Sequence, residues 1–532
     1  MSSSSHQQRS QKPKAVLGID NGTQGLTVVV VSIEDPSLPI VVTGEASYGC
    51  VPNLEEGCYE QVAADWETAL LQALDQIRST MNDYQVVAIG ISGQMHGHVL
   101  VNKDGHAVGT VRLWCDARNQ KETEELSAWL GMTTPLPKRI TVARWLWTIR
   151  HQRELAEEAD FLTTPGGWLS FCLTGGERTL GIGDASGMFP VDDTTLDYRS
   201  DYMDIVEAKL LAEAPNGVKP LSQLLPKVVP CGQDAGCVSV SAAARFGLPV
   251  GIPVAGAEGD QPASLVGSLI GQAGMASCSF GTSVCANLVG QTHEGASSVK
   301  IESPLINHFN AVNGQPIYMV WLRNGTTFFN SIVQSFGGDF SQIMPLVLSA
   351  PDDCGGLISL PFMDDEPGLE VHQGGTALTI GWNPSNTLDA GCACKAALLS
   401  TMFNLLQGTQ FLLEHDVPMT EILLSGGLTK TPECGQIVAN VFGLPVRLLE
   451  GAEEGCSWGA AVLAKYRYDC SQQELLPQGR KPTEWPVFLQ SIPARPSRVF
   501  EPNAKAVSVY QQVYRRYQKL LSLQSQLQKA VC

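Results

Sequence analysis

The stretch VAGAEGDQPAS, residues 254–264, places two acids, Glu258 and Asp260, among small and apolar residues bound for a folded core. A carboxylate taken out of water costs several kcal/mol unless it is paired, hydrogen-bonded or used. Whether either acid is paired, solvated or used depends on what else the chain brings to that place; Glu258 is expected to stand in a second row or to face solvent. Three glycine-rich turns stand elsewhere in the chain. GIDNGTQG, residues 18–25, frees the backbone at Gly22 and Gly25, so that N–H groups between them can cradle a phosphate while Asp20 faces a cation through water. FGTS, residues 280–283, has the same form. In ILLSGGLTKTPECGQIVANVFGLPV, residues 422–446, an apolar strand runs into Gly426 and Gly427, with a helix expected from Thr431-Pro432. There a ribose or adenine can approach the backbone closely. Each turn alone also serves as an ordinary connection between elements; together they read as loops gripping one polyphosphate from two sides. No Gly-x-x-x-x-Gly-Lys-Ser/Thr occurs, which excludes a P-loop enzyme on pattern.

The elements that must hold these residues follow from periodicity. AVLGID and LTVVVVSI flank the first turn as a hairpin, and Val62, Trp66, Leu70, Ala73 and Ile77 fall at helical spacing. VVAIGIS is the next strand. Strands alternating with helices indicate an α/β protein. MASCSFGTSVCANLVG, residues 275–290, repeats the first hairpin's grammar 259 residues later, which makes duplication of one α/β unit the economical hypothesis, with its boundary near 265–275. Past Lys465 a Pro-rich passage reads as a wrapping loop, and from Asn503 the residues Tyr510, Val513, Tyr514, Tyr517, Leu520 and Leu521 form the packing stripe of an amphipathic helix.

A chain of 532 residues, 44% hydrophobic, exceeds one ordinary core. The net charge of −18 argues against nucleic-acid or anionic-membrane partners and requires a local exception for any anionic substrate. No stretch approaches the about 18 apolar residues of a membrane span. The 15 scattered cysteines lack zinc spacing and read as reduced thiols of a cytoplasmic protein. The polar start reads as a disordered leader, not a signal peptide. Two Asn-Gly-Thr triplets, at Asn21 and Asn324, need an explanation other than glycosylation.

These motifs together resemble, from Val16 to Ala464 and in order, the FGGY sugar kinases within the actin-like ATPase group, most like the ketose-phosphorylating members. GQMHG (residues 93–97), GCYEQ, LWCDARN (113–119), GDASG (183–187), EGDQPASLVGS, FGTS, SGGLTK and GCSWGAAVLA carry the likeness. The resemblance implies two actin-like (ribonuclease H-like) α/β domains with a deep interdomain cleft: a leader over 1–14, an N-terminal sugar-binding and catalytic domain over 15–268, a C-terminal nucleotide-binding domain over 269–466, and a Pro-rich wrap with an amphipathic helix over 467–532. It implies ATP and Mg2+, with Asp260 as general base and Asp20 with Asp260 toward the metal. Gly22, Thr23, Gln24, Gly281, Thr282, Ser283, Gly426, Gly427 and Lys430 would hold the nucleotide, and Gln94, Met95, His96, Asp116, Arg118 and Gln261 the sugar. Asp116 and Arg118 read equally well as an ion pair.

The expected reaction is phosphorylation of a ketose, D-xylulose to D-xylulose 5-phosphate. The alternatives are another acceptor (sedoheptulose, ribulose or glycerol), a non-catalytic nucleotide switch, or a sugar sensor. The expected partners are a small-molecule sugar and ATP, with no nucleic acid and no membrane, and a homodimer is the assembly to test. Three departures from the family pattern stand out. Thr27 replaces a frequent lysine, MDDEPGL (363–369) replaces a GERTP-like segment, and Gln261 replaces a frequent asparagine beside the base.

Overall fold

The computed structural model describes residues 12–132, 135–291, 303–384, 389–449, 455–475, 482–494 and 497–531. In the first half the elements that position the site are β1 (Lys14–Asn21), β2 (Gly25–Ser32), β3 (Ile40–Ser47), α1 (Ala63–Met81), β4 (Gln85–Gly93), α2 (Thr141–His151), α3 (Ile182–Met188), β5 (Glu258–Gly259) and α4 (Asp260–Gly267). The second half brings β6 (Met275–Phe280), β7 (Val284–Val289), β8 (Ile306–Asn310), β9 (Pro316–Leu322), α5 (Ala390–Glu414), β10 (Glu421–Gly426), α6 (Cys434–Phe442), β11 (Val446–Leu449), α7 (Gly455–Glu474), α8 (Trp485–Ser491), β12 (Ser497–Phe500) and α9 (Ala504–Leu521).

Each half builds one large sheet. The first has the order β3-β2-β1-β4-β5, and the second contains β9-β7-β6-β10-β11, with β8 and β12 added at its edges. In both, the hairpin strands are antiparallel and the two following strands join in parallel. The same order with the same strand directions twice is the duplication that the Gly-Thr turns suggested.

The strands β1, β2 and β4 of the first sheet are buried on both faces, which is why they read as continuous apolar runs. Along β1, Ala15, Leu17 and Ile19 face the core containing Trp66, Leu70 and Ile77 of α1. Val16 faces the opposite way, into a cluster with Trp458, Ala461 and Val462 of α7. Helix α7, which follows β11 of the second sheet in sequence, therefore lies on the first sheet. It approaches closely only because glycines line the contact: a Cβ on Gly18 would fall 1.9 Å from the Ser457 carbonyl oxygen, and one on Gly90 1.8 Å from that of Ala460.

Residues 1–11 of the expected leader lie outside the described residues, and Lys14 already belongs to β1. The passage expected to be a loop past Lys465 is more ordered than its composition suggests. Helix α7 runs on to Glu474, Trp485, Phe488 and Leu489 of α8 are buried, and β12 pairs antiparallel with β11. Proline at the first helical turn of α8 is compatible with that order. The stripe on α9 packs as read: Tyr510, Val513, Tyr514 and Tyr517 sit in the second core. Among the described residues no helix is long and apolar enough to cross a membrane.

Candidate functional site

The chemistry-bearing residues converge at the carboxyl ends of the parallel strands, the usual place for ligands in open α/β sheets. Asp20 and Ser92 are register partners on β1 and β4, Glu258 and Ser92 are partners on β5 and β4, and Gly259 pairs with Gly93. Asp20, Asp260 and the GQMHG segment thus leave three adjacent strands side by side. In the second sheet Phe280 pairs with Gly426, which brings FGTS and SGG to neighbouring strand ends in the same way.

The first Gly-Thr turn is braced from below. The Gly22 N–H donates to the Gly25 carbonyl at 3.0 Å, and the Tyr48 hydroxyl lies 2.7 Å from Asn21 Oδ1 and 3.0 Å from the Gly25 carbonyl. Gln61 donates to the Thr23 carbonyl at 2.7 Å, and Gln94 donates to Gln61 at 2.8 Å. Gln94, expected at the sugar, is thus spent inside the protein at 1% exposure, because its strand-end position points the amide under the turn. Gln24 is exposed at the turn's tip, and Ser92 donates to Asp20 Oδ1 at 2.9 Å.

The second turn has a matching brace. Thr326 N donates to the Gly281 carbonyl at 2.8 Å and Gly325 N to that of Thr282 at 3.1 Å. A Cβ on Gly325 would fall 2.4 Å from each of those oxygens. Asn324 is held in turn by Glu366, through its N–H at 2.9 Å and its amide at 3.1 Å, and accepts from Asp364 N at 2.9 Å. The two Asn-Gly-Thr triplets are therefore the first Gly-Thr turn and the clasp of its counterpart. The departing MDDEPGL segment is the support of that clasp. Thr282, Ser283, Gly426, Gly427 and Lys430 are exposed. Gly426 adopts φ +80°, and a Cβ there would meet the Phe280 carbonyl at 2.8 Å. The helix after it starts at Cys434, not at Thr431, because a short 3-10 turn, Gly427–Lys430, intervenes.

Asp260 opens α4, directly after β5, and its Oδ1 accepts the Gln261 N–H at 2.8 Å. Burial and then the charge of Asp20 push its pKa up to about 7, against the pull of the Gln261 N–H and of Arg139. Met95 packs against Gly259, where a Cβ would fall 2.2 Å from its Cγ. His96 is half-buried with φ +64°, and its Nδ1 lies 3.0 Å from the Gly187 carbonyl of GDASG. Burial, then Arg139 and Arg144, hold its pKa well below the usual imidazole value.

Glu258 does not face solvent. It is 1% exposed and accepts the Asp184 N–H at 3.1 Å, so its carboxyl caps α3 from another strand. Burial raises its pKa well above the ordinary range, and raises that of Asp184 to about 8. Asp116, also expected at the sugar, is buried and paired: Arg118 donates to it at 2.6 Å and Tyr59 N at 3.0 Å, while Arg118 also reaches Glu60 at 2.5 Å. The ion-pair reading of Asp116 and Arg118 is the one the geometry takes. Gln261 accepts from Asn287 of β7 at 3.0 Å and so joins the two domains.

Arg139 was missed in the sequence. Its half-buried guanidinium acts on both Asp260 and His96, and its Nε has no partner among the described residues. Nothing in LPKRIT marks it, since a lone arginine in a Pro-containing loop has no periodic signature.

Two α/β units of one strand order, each with a Gly-Thr turn at the same place in its sheet, define the two-domain architecture of actin-like sugar kinases. More particularly, the chain belongs to the FGGY family of carbohydrate kinases: residues 15–267 match the family's N-terminal domain and 276–468 its C-terminal domain. It is a sugar-phosphorylating enzyme. The chain is 26% identical over 525 residues to the xylulose kinase of Haemophilus influenzae, covering 95% of this chain and 99% of that one. It is 28% identical over 462 residues to the xylulose kinase of Streptomyces coelicolor, covering 84% and 87%. The solved xylulose kinase of Rhodospirillum rubrum has a TM-score of 0.79 at 20% identity, over 97% of this chain and 100% of that one. The Plasmodium falciparum glycerol kinase with ADP has a TM-score of 0.78 at 18% identity, over 96% and 98%. Kinases named for different acceptors share this fold, so the acceptor is chosen by side chains.

Proposed function

We propose that the enzyme transfers the γ-phosphoryl group of ATP to the primary hydroxyl of D-xylulose, giving D-xylulose 5-phosphate, with Asp260 as general base. The observation that carries this reading is the position of Asp260, where the first phosphate turn and the Met95-His96 segment converge, with a pKa near neutrality. A base of that strength is ionised in part at pH 7 and still accepts a proton readily. The Asp260 carboxylate takes the hydroxyl proton as the new O–P bond forms and the bond to ADP breaks, while the two turns hold the phosphates in line. Closure of the cleft keeps water from competing with the sugar.

Asp20 and Asp260 suit Mg2+. Among the described residues no group of three or more potential ligands is gathered, and Mg2+ is commonly held by one or two carboxylates with waters and phosphate oxygens. The ion would offset the negative charge of the phosphates. The described cysteines are all unpaired, which suits the ATP-containing, reducing cytoplasm.

The test is ADP release by the purified protein against a panel of D-xylulose, ribulose, sedoheptulose and glycerol, with and without EDTA. D-xylulose is expected to have the highest kcat/KM, with turnover lost in EDTA and restored by Mg2+. Preference for another acceptor would replace the substrate, and nucleotide binding without sugar-dependent ADP release would favour a nucleotide switch.

A further inference from the structure

We propose that Arg144 is the positioning residue of the acceptor site: its buried guanidinium sets the carbonyls of His96, Leu113, Trp114 and Arg139, so that His96 turns its Nε2 lone pair toward a hydroxyl of the acceptor. The inference rests on the functional reading above for the identity of the acceptor, not for the geometry.

Arg144 lies in the first turn of α2 with 0% exposure. One end of its fork donates to the His96 carbonyl at 3.2 Å and to that of Arg139; the other donates to the carbonyls of Leu113 at 2.8 Å and Trp114 at 3.1 Å. One planar group thereby fixes the GQMHG segment, the LWCDARN segment and the turn that carries Arg139. Among the described residues Arg144 has no carboxylate within ion-pair distance and its Nε has no hydrogen bond, while the charge of Asp116 farther off favours its ionised form. A buried cation held by carbonyl dipoles and a distant carboxylate is an expensive way to fill a core, because an apolar side chain of similar volume serves stability as well or better. What the guanidinium does that an apolar group cannot is aim four carbonyls. Lysine concentrates its donors at one point and cannot reproduce the fork.

The segment it holds needs holding. His96 is in the left-handed region, which a non-glycine residue keeps only when its surroundings impose it. The orientation fixes the tautomer as well. The Gly187 carbonyl can only accept, so the proton of His96 is on Nδ1. Burial and the nearby charges of Arg139 and Arg144 keep the ring neutral, which leaves Nε2 with a lone pair. Such a nitrogen accepts from a hydroxyl and repels a keto oxygen or a phosphate. It therefore reads an alcohol group of the acceptor.

The experiment combines kinetics of Arg144→Lys with 15N NMR of the histidine side chains. Wild-type His96 is expected to show a protonated Nδ1 and an unprotonated Nε2. In R144K the KM for the acceptor should rise by about tenfold to a hundredfold, the scale of a misplaced contact. The KM for ATP should stay within about twofold, as for loss of acceptor binding alone. In the double variant R144K/H96A the penalty should be smaller than the product of the single ones. A protonated Nε2 in the wild type would overturn the proposal even where R144K fails to fold. So would an R144K enzyme with unchanged acceptor KM and His96 signals, or one whose two KM values rise together as its melting temperature falls. A wild type that turns over none of the panel sugars would overturn the functional reading, while the His96 resonances still decide the positioning.

Discussion

The Asn287 amide donates to Gln261 Oε1 at 3.0 Å, tying the residue after Asp260 to a strand of the opposite domain. One hydrogen bond thus links the start of α4 to the sheet that carries the second Gly-Thr turn. Its net worth is about 1 kcal/mol, roughly a fivefold effect on an equilibrium. Q261A and N287A should each weaken ATP binding about fivefold in the presence of sugar and much less in its absence, as read by calorimetry. Equal losses with and without sugar would show that the bond plays no part in closure.

For the base itself, Asp260→Asn should lower kcat by about two to four orders of magnitude while sugar and ATP still bind. Coupled ADP release checks this, and an active D260N enzyme would end the mechanism.

The pH profile follows from the environment of that carboxyl. With a pKa of about 7, Asp260 is ionised and able to act only above that point, so kcat/KM should fall on the acid side with a limb near pH 7. The Arg139 charge favours the ionised form, so Arg139→Met should move the limb to higher pH. Asp20 opposes ionisation, so Asp20→Asn should move it lower while also reducing turnover. Initial rates from pH 5.5 to 9, in a buffer series of constant ionic strength, measure both shifts; limbs that coincide in all three proteins would assign the titration to another group.

On the proposed reading, the clasp under the second Gly-Thr turn bears on the nucleotide. Glu366 is 3% exposed and its carboxylate receives both Asn324 donors. Removing it leaves the buried Asn324 N–H unpaired, at a cost of about 1–3 kcal/mol, while the Asn324 amide keeps the carbonyls of Asp364 and Asp365. Glu366→Ala should therefore raise the KM for ATP by about tenfold, on the same scale, with the acceptor KM little changed. Steady-state kinetics varying each substrate separately would reveal the opposite pattern.

At the contact of α7 with the first sheet, Gly90→Ala would drive a methyl to 1.8 Å from the Ala460 carbonyl oxygen. Backbone lies on both sides, so relief requires moving the helix, and a loss of about 3 kcal/mol is expected. Thermal unfolding of G90A would show it as a lowered midpoint; an unchanged midpoint would mean that α7 does not sit on β4 in solution.

Local patterns in the chain were enough for what is local. The β1–β2 hairpin, α1, the aromatic stripe of α9 and the repeated Gly-Thr turns depend on residues a few positions apart. The repeat also foretold two sheets of one topology, because each half carries its own strand periodicity. Tertiary structure decided everything that rests on partners distant in the chain. Glu258 is a buried cap for α3 because β5 and α3 meet. Gln94 and Asp116 turn inward because Gln61, Arg118 and Glu60 wait there. The Pro-rich passage contains a strand because β11 offers it an edge. Helix α7, second-half by order, belongs to the first sheet because Gly18 and Gly90 let its backbone in. Arg139 and Arg144 were invisible for the same reason: a cation's role is set by the groups it faces, and theirs come from segments around residues 96, 113, 187 and 260 that only the folded chain brings together.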